Sequence, residues 1–237
     1  MAGDWRQFRR RFFKPWWRVR YAGLRVHYKR HLDGGGNDQG QEYLPFLADR
    51  NAPKLGRVFE WCAGPGFIGF SLLAHGFCET LCVADVNEEA VTACRRTIRD
   101  NRLENRVSVY HSDNLRSIPA SEQWDLVVSN PPHFPADAIT DLRLHDPSWQ
   151  LHRDFFDNVG KFLKPSGVIV LQENNLGSTA ATFKDMIEQA GLATIFVQGD
   201  AGKLTPYPRH YYLGVARRGA TLPAWATAAP SPYAVVA

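Results

Sequence analysis

Four cysteines in 237 residues, with no Cys-x-x-Cys pair among them, make a disulfide scaffold or a thiol-rich metal site a poor account of this chain. A reducing cytoplasm is the expected home. No stretch approaches the roughly 20 uninterrupted apolar residues of a membrane-spanning helix, and the start lacks the apolar core of a secretory signal. A soluble protein with no membrane partner is expected. The start is Arg-rich and acid-poor, as transit peptides are, but its Trp and Phe residues and the pattern after them favour a folded segment. There is no internal repeat, no Gly-x-x-x-x-Gly-Lys-Ser/Thr loop and no Ser-His-Asp order, and His31, His75, His111 and His210 show no metal-ligand spacing. No metal is expected. With 44% hydrophobic and 22% charged residues the composition is ordinary for a globular protein, and the length fits one α/β domain with a small appendage.

Charge is unevenly spread. Residues Met1–His31 hold ten Lys/Arg against Asp4 alone, a net +9, which leaves 18 Lys/Arg and 23 acids, a net −5, for the remainder. Trp5, Phe8 and Phe12 recur at helical spacing between arginines and read as a short amphipathic helix stopped near Pro15. From Trp17 to Lys29 apolar and basic residues alternate about Ala22-Gly23. A two-residue turn there sets Tyr21 opposite Leu24, Val19 opposite Val26 and Trp17 opposite Tyr28, with Arg18, Arg20, Arg25, His27 and Lys29 on the other face. That basic face calls for an acidic partner, either the protein's own acidic body or a polyanion such as RNA. The run Gly34-Gly35-Gly36-Asn37-Asp38 reads as a flexible linker or lid before a helix around Glu42–Ala48.

From Arg57 onward strand and helix patterns alternate. Strands are expected over Arg57–Trp61, Thr80–Ala84, Arg106–Tyr110, Asp125–Ser129, Gly167–Gln172, Ala193–Gln198 and His210–Ala216. Helices are expected over Asn87–Asp100, Arg153–Leu163 and Ser178–Ala190, the last with Phe183, Ile187 and Ala190 on one face. The alternation implies a seven-stranded, mostly parallel, doubly wound sheet with helices on both faces, plus an N-terminal helix and β-hairpin extension. The division expected is an extension over 1–50, a main domain over 51–218 and a flexible Ala/Pro-rich tail over 219–237.

The first strand of the sheet, Val58-Phe59-Glu60-Trp61, runs straight into Cys62-Ala63-Gly64-Pro65-Gly66 and an apolar helix. Glycines at such a turn let a ligand approach the backbone beside a helix N-terminus. Asp85, followed by Val86, closes the second strand, where a carboxylate accepts hydrogen bonds from ribose hydroxyls. A nucleoside-containing cofactor fits. The fourth strand ends in Asn130-Pro131-Pro132-His133-Phe134, a polar side chain and a rigid, donor-free backbone at the sheet edge where open α/β folds bind ligands.

Together, Glu60-x-x-x-Gly64-x-Gly66, Asp85, Asp113-Asn114 and Asn130-Pro131-Pro132-His133 resemble the class I S-adenosylmethionine-dependent methyltransferases, whose fold is Rossmann-like. The resemblance spans roughly Glu42 to Ala216. The Asn-Pro-Pro-aromatic signature is similar to the nitrogen-methylating branch, with its release-factor glutamine, ribosomal RNA and DNA amino methyltransferases. It implies S-adenosylmethionine as cofactor, with Gly64 and Gly66 as the floor under its methionine part and Glu60 as anchor of that loop. It implies Asp85 at the ribose hydroxyls, Asp113 facing the adenine amino group with Asn114 beside it, and Cys62, Ala63, Val86 and Asn130 also at the cofactor. Cys62 stands where the family has a first glycine, and His133 where it has Tyr, Phe or Trp.

Methyl transfer from a sulfonium is an in-line displacement, so the protein's main task is alignment. The Asn130 side-chain oxygen and the Pro131 carbonyl can accept the two N–H bonds of a planar NH₂, while Pro132 stiffens the arrangement. His133 either stacks on the substrate, reads its edge or accepts the departing proton. On the substrate side the expected residues are Asn130, Pro132, His133, Phe134, His145, Trp149, His152 and Glu173, with Asp146 as a helix cap and Asn174-Asn175 beside Glu173. Gln41-Glu42-Tyr43 is expected to help close the cofactor pocket. The acceptor is left open between a small molecule, a protein side chain and RNA, and the oligomeric state is not set. A dehydrogenase of Rossmann type is the rival enzyme, but it would leave Asn130-Pro131-Pro132 unexplained. The other alternative is a non-catalytic protein of this fold that binds RNA through its basic hairpin.

Overall fold

The structure, a computed structural model, describes residues 15–135, 141, 143–199 and 210–228. The amphipathic helix expected over Trp5–Phe12 lies outside the described residues. Strands β1 (Trp17–Tyr21) and β2 (Leu24–Tyr28) pair antiparallel in the register that the alternation requires, Trp17 with Tyr28, Val19 with Val26 and Tyr21 with Leu24. Ala22 and Gly23 both take positive φ, 41° and 91°, as a two-residue turn matched to strand twist demands. The hairpin is no detached arm. Tyr21 and Val26 join the main core, and Tyr28 meets Phe67 edge-on at 5.2 Å. Two of its basic residues find acids on the body, His27 at 2.6 Å from Asp100 and Lys29 at 2.6 Å from Glu89, and His31 just beyond lies 2.7 Å from the same Glu89.

The Gly-rich run does not form a linker. Asp33 accepts the amides of Gly35 and Asn37 at 3.0 and 3.3 Å, and the chain coils into α1 (Gly36–Gln39), then α2 (Tyr43–Asp49). Tyr43, Phe46 and Leu47 of α2 are buried in the main core, so the boundary expected between residues 50 and 51 coincides with no break in packing. At the other end, the tail expected to be loose from 219 holds α7 (Ala224–Thr227) with Trp225 and Ala226 buried, because Arg50 donates to the carbonyls of Trp225 and Ala228.

The sheet consists of β3 (Leu55–Glu60), β4 (Cys78–Asp85), β5 (Val107–His111), β6 (Trp124–Ser129), β7 (Leu163–Asn174), β8 (Leu192–Gln198) and β9 (His210–Arg217) in the order β5-β4-β3-β6-β7-β9-β8. The first five are mutually parallel; β9 runs antiparallel to both neighbours. Successive strand residues face opposite layers. Val58, Leu81, Leu126 and Val170 pack with α2, with α3 (Phe67–Ala74) and with α4 (Glu88–Asn101). Phe59, Cys82, Val127 and Leu171 pack with α5 (Gln150–Val159) and α6 (Ala180–Gln189), where Phe183 and Ile187 are buried as their spacing predicts. Burying each such side chain contributes about 1.5–3 kcal/mol. Helix α5 starts three residues before the expected Arg153, because the Asp146 carboxylate accepts the amides of Leu151 and His152. The order reverses at β3, flanked by β4 and β6, and opens a crevice at the carboxyl ends of these strands.

Candidate functional site

A cavity of about 580 Å³ occupies that crevice. Its wall brings together Glu60, Cys62, Ala63 and Gly64 after β3, Asp85 and Val86 after β4, Asp113 and Asn114 after β5, and Asn130, Pro131, Pro132 and His133 after β6. His145 joins them from the segment beyond. These residues span 86 positions in sequence, Glu60 to His145, and meet because the parallel strands end at one edge.

The loop after β3 is held from below. Glu60 is buried, and its carboxyl oxygens accept the amides of Ile68 and Gly69 at 3.2 and 2.7 Å, fixing the start of α3. Burial pushes this carboxyl up to about 8, with the two amide donors pulling the other way. Cys62 turns the loop at φ 50°, in the left-handed region that favours glycine, as its place in the motif requires. Gly66 turns it again at φ 80°, where an added Cβ would sit 2.7 Å from the Phe70 ring. Gly66 is absent from the cavity wall; its glycine serves the turn into α3, not the floor expected of it. Gly64 alone of the two is at the surface of the cavity. Its amide donates to Asp85 at 2.6 Å, and the other Asp85 oxygen accepts the amide of Asn87 at 2.8 Å. Burial raises the Asp85 carboxyl, opposed by these amides and by His111.

The Asp113 carboxylate pairs with Arg116 at the cavity edge. Asn114 reaches the wall, yet its side-chain amide donates to the Leu151 carbonyl and to Asp154 at 3.0 and 2.9 Å, tying β5 to α5. Ser129 hydroxyl donates to the Trp61 carbonyl at 2.6 Å and so links the two loops from beneath.

His133 is buried, and its Nδ1 lies 3.0 Å from the Pro131 carbonyl. That carbonyl can only accept, so Nδ1 carries the proton and Nε2 is the acceptor. Burial lowers the imidazole to about 4, and the Pro131 contact only partly offsets it. The ring is neutral at physiological pH.

Four residues expected to touch substrate are not in the cavity wall. Phe134 turns aside because its backbone pairs with the Leu144–Asp146 segment. Trp149 packs edge-on against Phe183 at 5.0 Å and His152 at 5.5 Å. His152 and Glu173 are buried behind the wall, 3.1 Å apart. Glu42 accepts from Gln172 at 2.6 Å, Gln41 accepts from the Ser71 hydroxyl, and Tyr43 donates to the carbonyls of Ser129 and Val170 at 2.7 and 2.9 Å. That tripeptide braces the sheet and is not in the cavity wall. Sequence reasoning missed Leu32, Ser112 and Arg143 in the wall, which Gly34 and Gly36 of the run expected as a linker or lid also join. Arg143 donates to the carbonyls of His31 and Asp33 at 3.1 and 2.9 Å, bridging the N-terminal extension to the segment after Phe134. No local motif announces such a contact.

The profile of the methyltransferase small domain matches residues 35–194. The chain is 29% identical over 164 residues to the release factor glutamine methyltransferase of Clostridium acetobutylicum, covering 62% of this chain and 56% of that protein. It is 28% identical over 127 residues to the ribosomal protein uL3 glutamine methyltransferase of Neisseria gonorrhoeae, covering 48% and 42%. With a bifunctional methyltransferase of Rickettsia felis it shares 27% over 141 residues, 54% of this chain and 26% of that one. The chain thus spans between about a quarter and just over half the length of these curated relatives. Among solved structures, the T. thermophilus 16S rRNA N2 G1207 methyltransferase in complex with AdoMet and guanosine superposes with a TM-score of 0.59 at 18% identity, over 86% of this chain and 50% of that one. M. jannaschii TYW2 in complex with AdoMet gives 0.57 at 17%, over 86% and 88%. These two likenesses show the fold.

Proposed function

The chain belongs to the methyltransferase small domain family, and from that premise we propose that it moves a methyl group from S-adenosylmethionine to a planar or amino nitrogen held at Asn130-Pro131-Pro132-His133. The observation that carries the reading is one cavity that joins Gly64 and Asp85 to that tetrapeptide. The residues present suit the cofactor. Gly64 leaves room above the backbone, with only the Leu32 carbonyl within 4 Å of an added Cβ, at 3.6 Å. Asp85 still has lone pairs for hydroxyl groups beyond those its two amide donors use. When bound, S-adenosylmethionine supplies an electrophilic methyl carbon on a sulfonium.

The chain's own part is to hold the acceptor. Asn130 and the Pro131 carbonyl accept the two N–H bonds of an NH₂ group and turn its nitrogen toward the cofactor side. His133 occupies one lone pair of the Pro131 carbonyl and leaves the other for substrate. A ring neutral at pH 7, with Nε2 as acceptor, suits edge recognition of an N–H donor better than proton storage. An amide, guanidine, amine or nucleobase nitrogen meets these requirements.

Two measurements test the reading. Calorimetry should show S-adenosylhomocysteine binding, and a preference for NAD would overturn the cofactor assignment. Labelled-methyl transfer into fractionated cell extract should put label into protein, RNA or small molecules. Asn130→Ala should lower that transfer by about 10²–10³-fold, the scale of one lost transition-state hydrogen bond, with S-adenosylhomocysteine affinity retained. Full turnover in Asn130→Ala would end the nitrogen-clamp proposal.

A further inference from the structure

His152 spends both ring nitrogens on carboxylates. Nδ1 lies 2.6 Å from Asp146 and Nε2 lies 3.1 Å from Glu173, and all three side chains are fully buried. A neutral imidazole has one N–H, so donating to both carboxylates requires the imidazolium. The ring is fixed on every side: it stacks on Phe183 at 4.7 Å and meets Trp61 and Trp149 edge-on at 5.3 and 5.5 Å. None of the three lines the cavity, and the proposed chemistry uses none of them. Apolar side chains of similar size are often as stable as a buried ionic triad, or more so. Bulk stability is therefore a poor reason for this one.

Asp146 is the joint. Its carboxylate caps α5 at Leu151 and His152, and its own amide donates to the Phe134 carbonyl at 2.9 Å. Two residues earlier, the Leu144 carbonyl accepts the amides of His133 and Phe134 at 3.1 and 2.9 Å, and His145 between them faces the cavity. Glu173 stands at the end of β7, hydrogen-bonded neighbour of the strand that leads into Asn130. His152 thus connects the rigid sheet to the segment that holds His133 in place.

We propose that His152, clamped between Asp146 and Glu173, is a positioning residue for the acceptor wall: it sets where Leu144–Asp146 lies, and through that segment where His133 and the Pro131 carbonyl present themselves. Its relevance to catalysis rests on the methyl-transfer reading, but its test needs no turnover.

Long-range ¹H–¹⁵N spectra of the full chain report the protonation and tautomer of each imidazole. The expected result at pH 7 is a doubly protonated His152 and a His133 held as the single Nδ1–H tautomer. His152→Phe keeps a ring against Phe183, and should lose the single-tautomer signature of His133 while calorimetry gives S-adenosylhomocysteine affinity as in wild type. Should His152→Phe not fold, Asp146→Asn, which keeps a capping oxygen but not the charge, should give the same loss. Glu173→Gln retains an acceptor for Nε2; it should preserve the His133 signature and shift the His152 titration below about 9. Val159→Ala loosens the same helix through its apolar face and should leave His133 unchanged. A His152 that is neutral at pH 7 overturns the proposal. So does a His133 signature that survives His152→Phe and Asp146→Asn, or one that Val159→Ala disturbs equally. Failure of the wild-type chain to bind S-adenosylhomocysteine would count against the methyl-transfer reading and leave the imidazole result standing.

Discussion

The loop between β3 and α3 faces Asn130–His133 and Arg143–His145 across one cavity, yet the two sides are held by opposite means. The loop is tied to residues near it in sequence: Glu60 to the amides of Ile68 and Gly69, and Gly64 to Asp85 at the end of the next strand. The acceptor segment is tied to distant ones. Arg143 reaches back to His31 and Asp33, and Tyr43 supports Ser129. A strand-turn-helix can specify a cofactor loop almost alone, whereas the acceptor wall exists only once the whole domain has closed. The two sides should therefore be separable by substitution.

The largest effect is expected at Gly177, where an added Cβ would lie 1.8 Å from the His133 carbonyl oxygen. Gly177→Ala should cost about 3 kcal/mol in denaturant unfolding, the upper range for overpacking, and displace His133 while S-adenosylhomocysteine still binds. Equal loss on both sides would show that the halves are not independent. Next, Asp85→Ala strikes the loop side. It removes the acceptor for Gly64 and Asn87 and should weaken S-adenosylhomocysteine by about 10–100-fold, or about 1.4–2.7 kcal/mol, with the His133 tautomer unchanged.

A third effect follows from pH. Burial is the largest influence on His152 and opposes its charge, but Glu173 and Asp146 together outweigh it and hold the ring up to about 9, against 6.5 unfolded. A raised value means the folded state binds the extra proton. The stabilisation is complete below about pH 6.5 and is lost as pH climbs through about 9. The elevated Glu60 carboxyl works in the same direction, over a lower window from 4.5 to about 8. The denaturant midpoint should fall between pH 7 and pH 10; a flat or rising midpoint contradicts this. The smallest effect belongs to Arg143→Ala, which should cost no more than about 1 kcal/mol, as for other exposed charge contacts, and should speed S-adenosylhomocysteine release in stopped-flow measurements.

Much of the architecture was legible because it is written in local periodicity. The hairpin register follows from alternation around Ala22-Gly23, and the place of Asp85 follows from the length of one helix and one strand. The glycine turn after β3 was readable from a strand running into glycines, but the place of Cys62 came from the family resemblance, and its left-handed backbone is seen only in the structure. Gly66 was misassigned because a glycine demanded by a neighbouring Phe70 looks in sequence like one demanded by a ligand. Trp149, His152 and Glu173 were misplaced because proximity in sequence to a sheet edge does not say which layer a side chain enters. Here Phe183 of α6 and the Asp146 cap draw them inward. The wall contributed by Leu32, Gly34 and Arg143 depends on how the extension folds back, which no short motif encodes.

Tyr43 shows how far back the machinery reaches. Its hydroxyl is wedged between the carbonyls of Ser129 and Val170, and its ring meets Tyr212 edge-on at 5.3 Å. A fragment trimmed to begin at residue 51 would pull this peg from under the two central strands and leave the space of a fully buried tyrosine unfilled. The shortest piece able to stand by itself must therefore start upstream of α2.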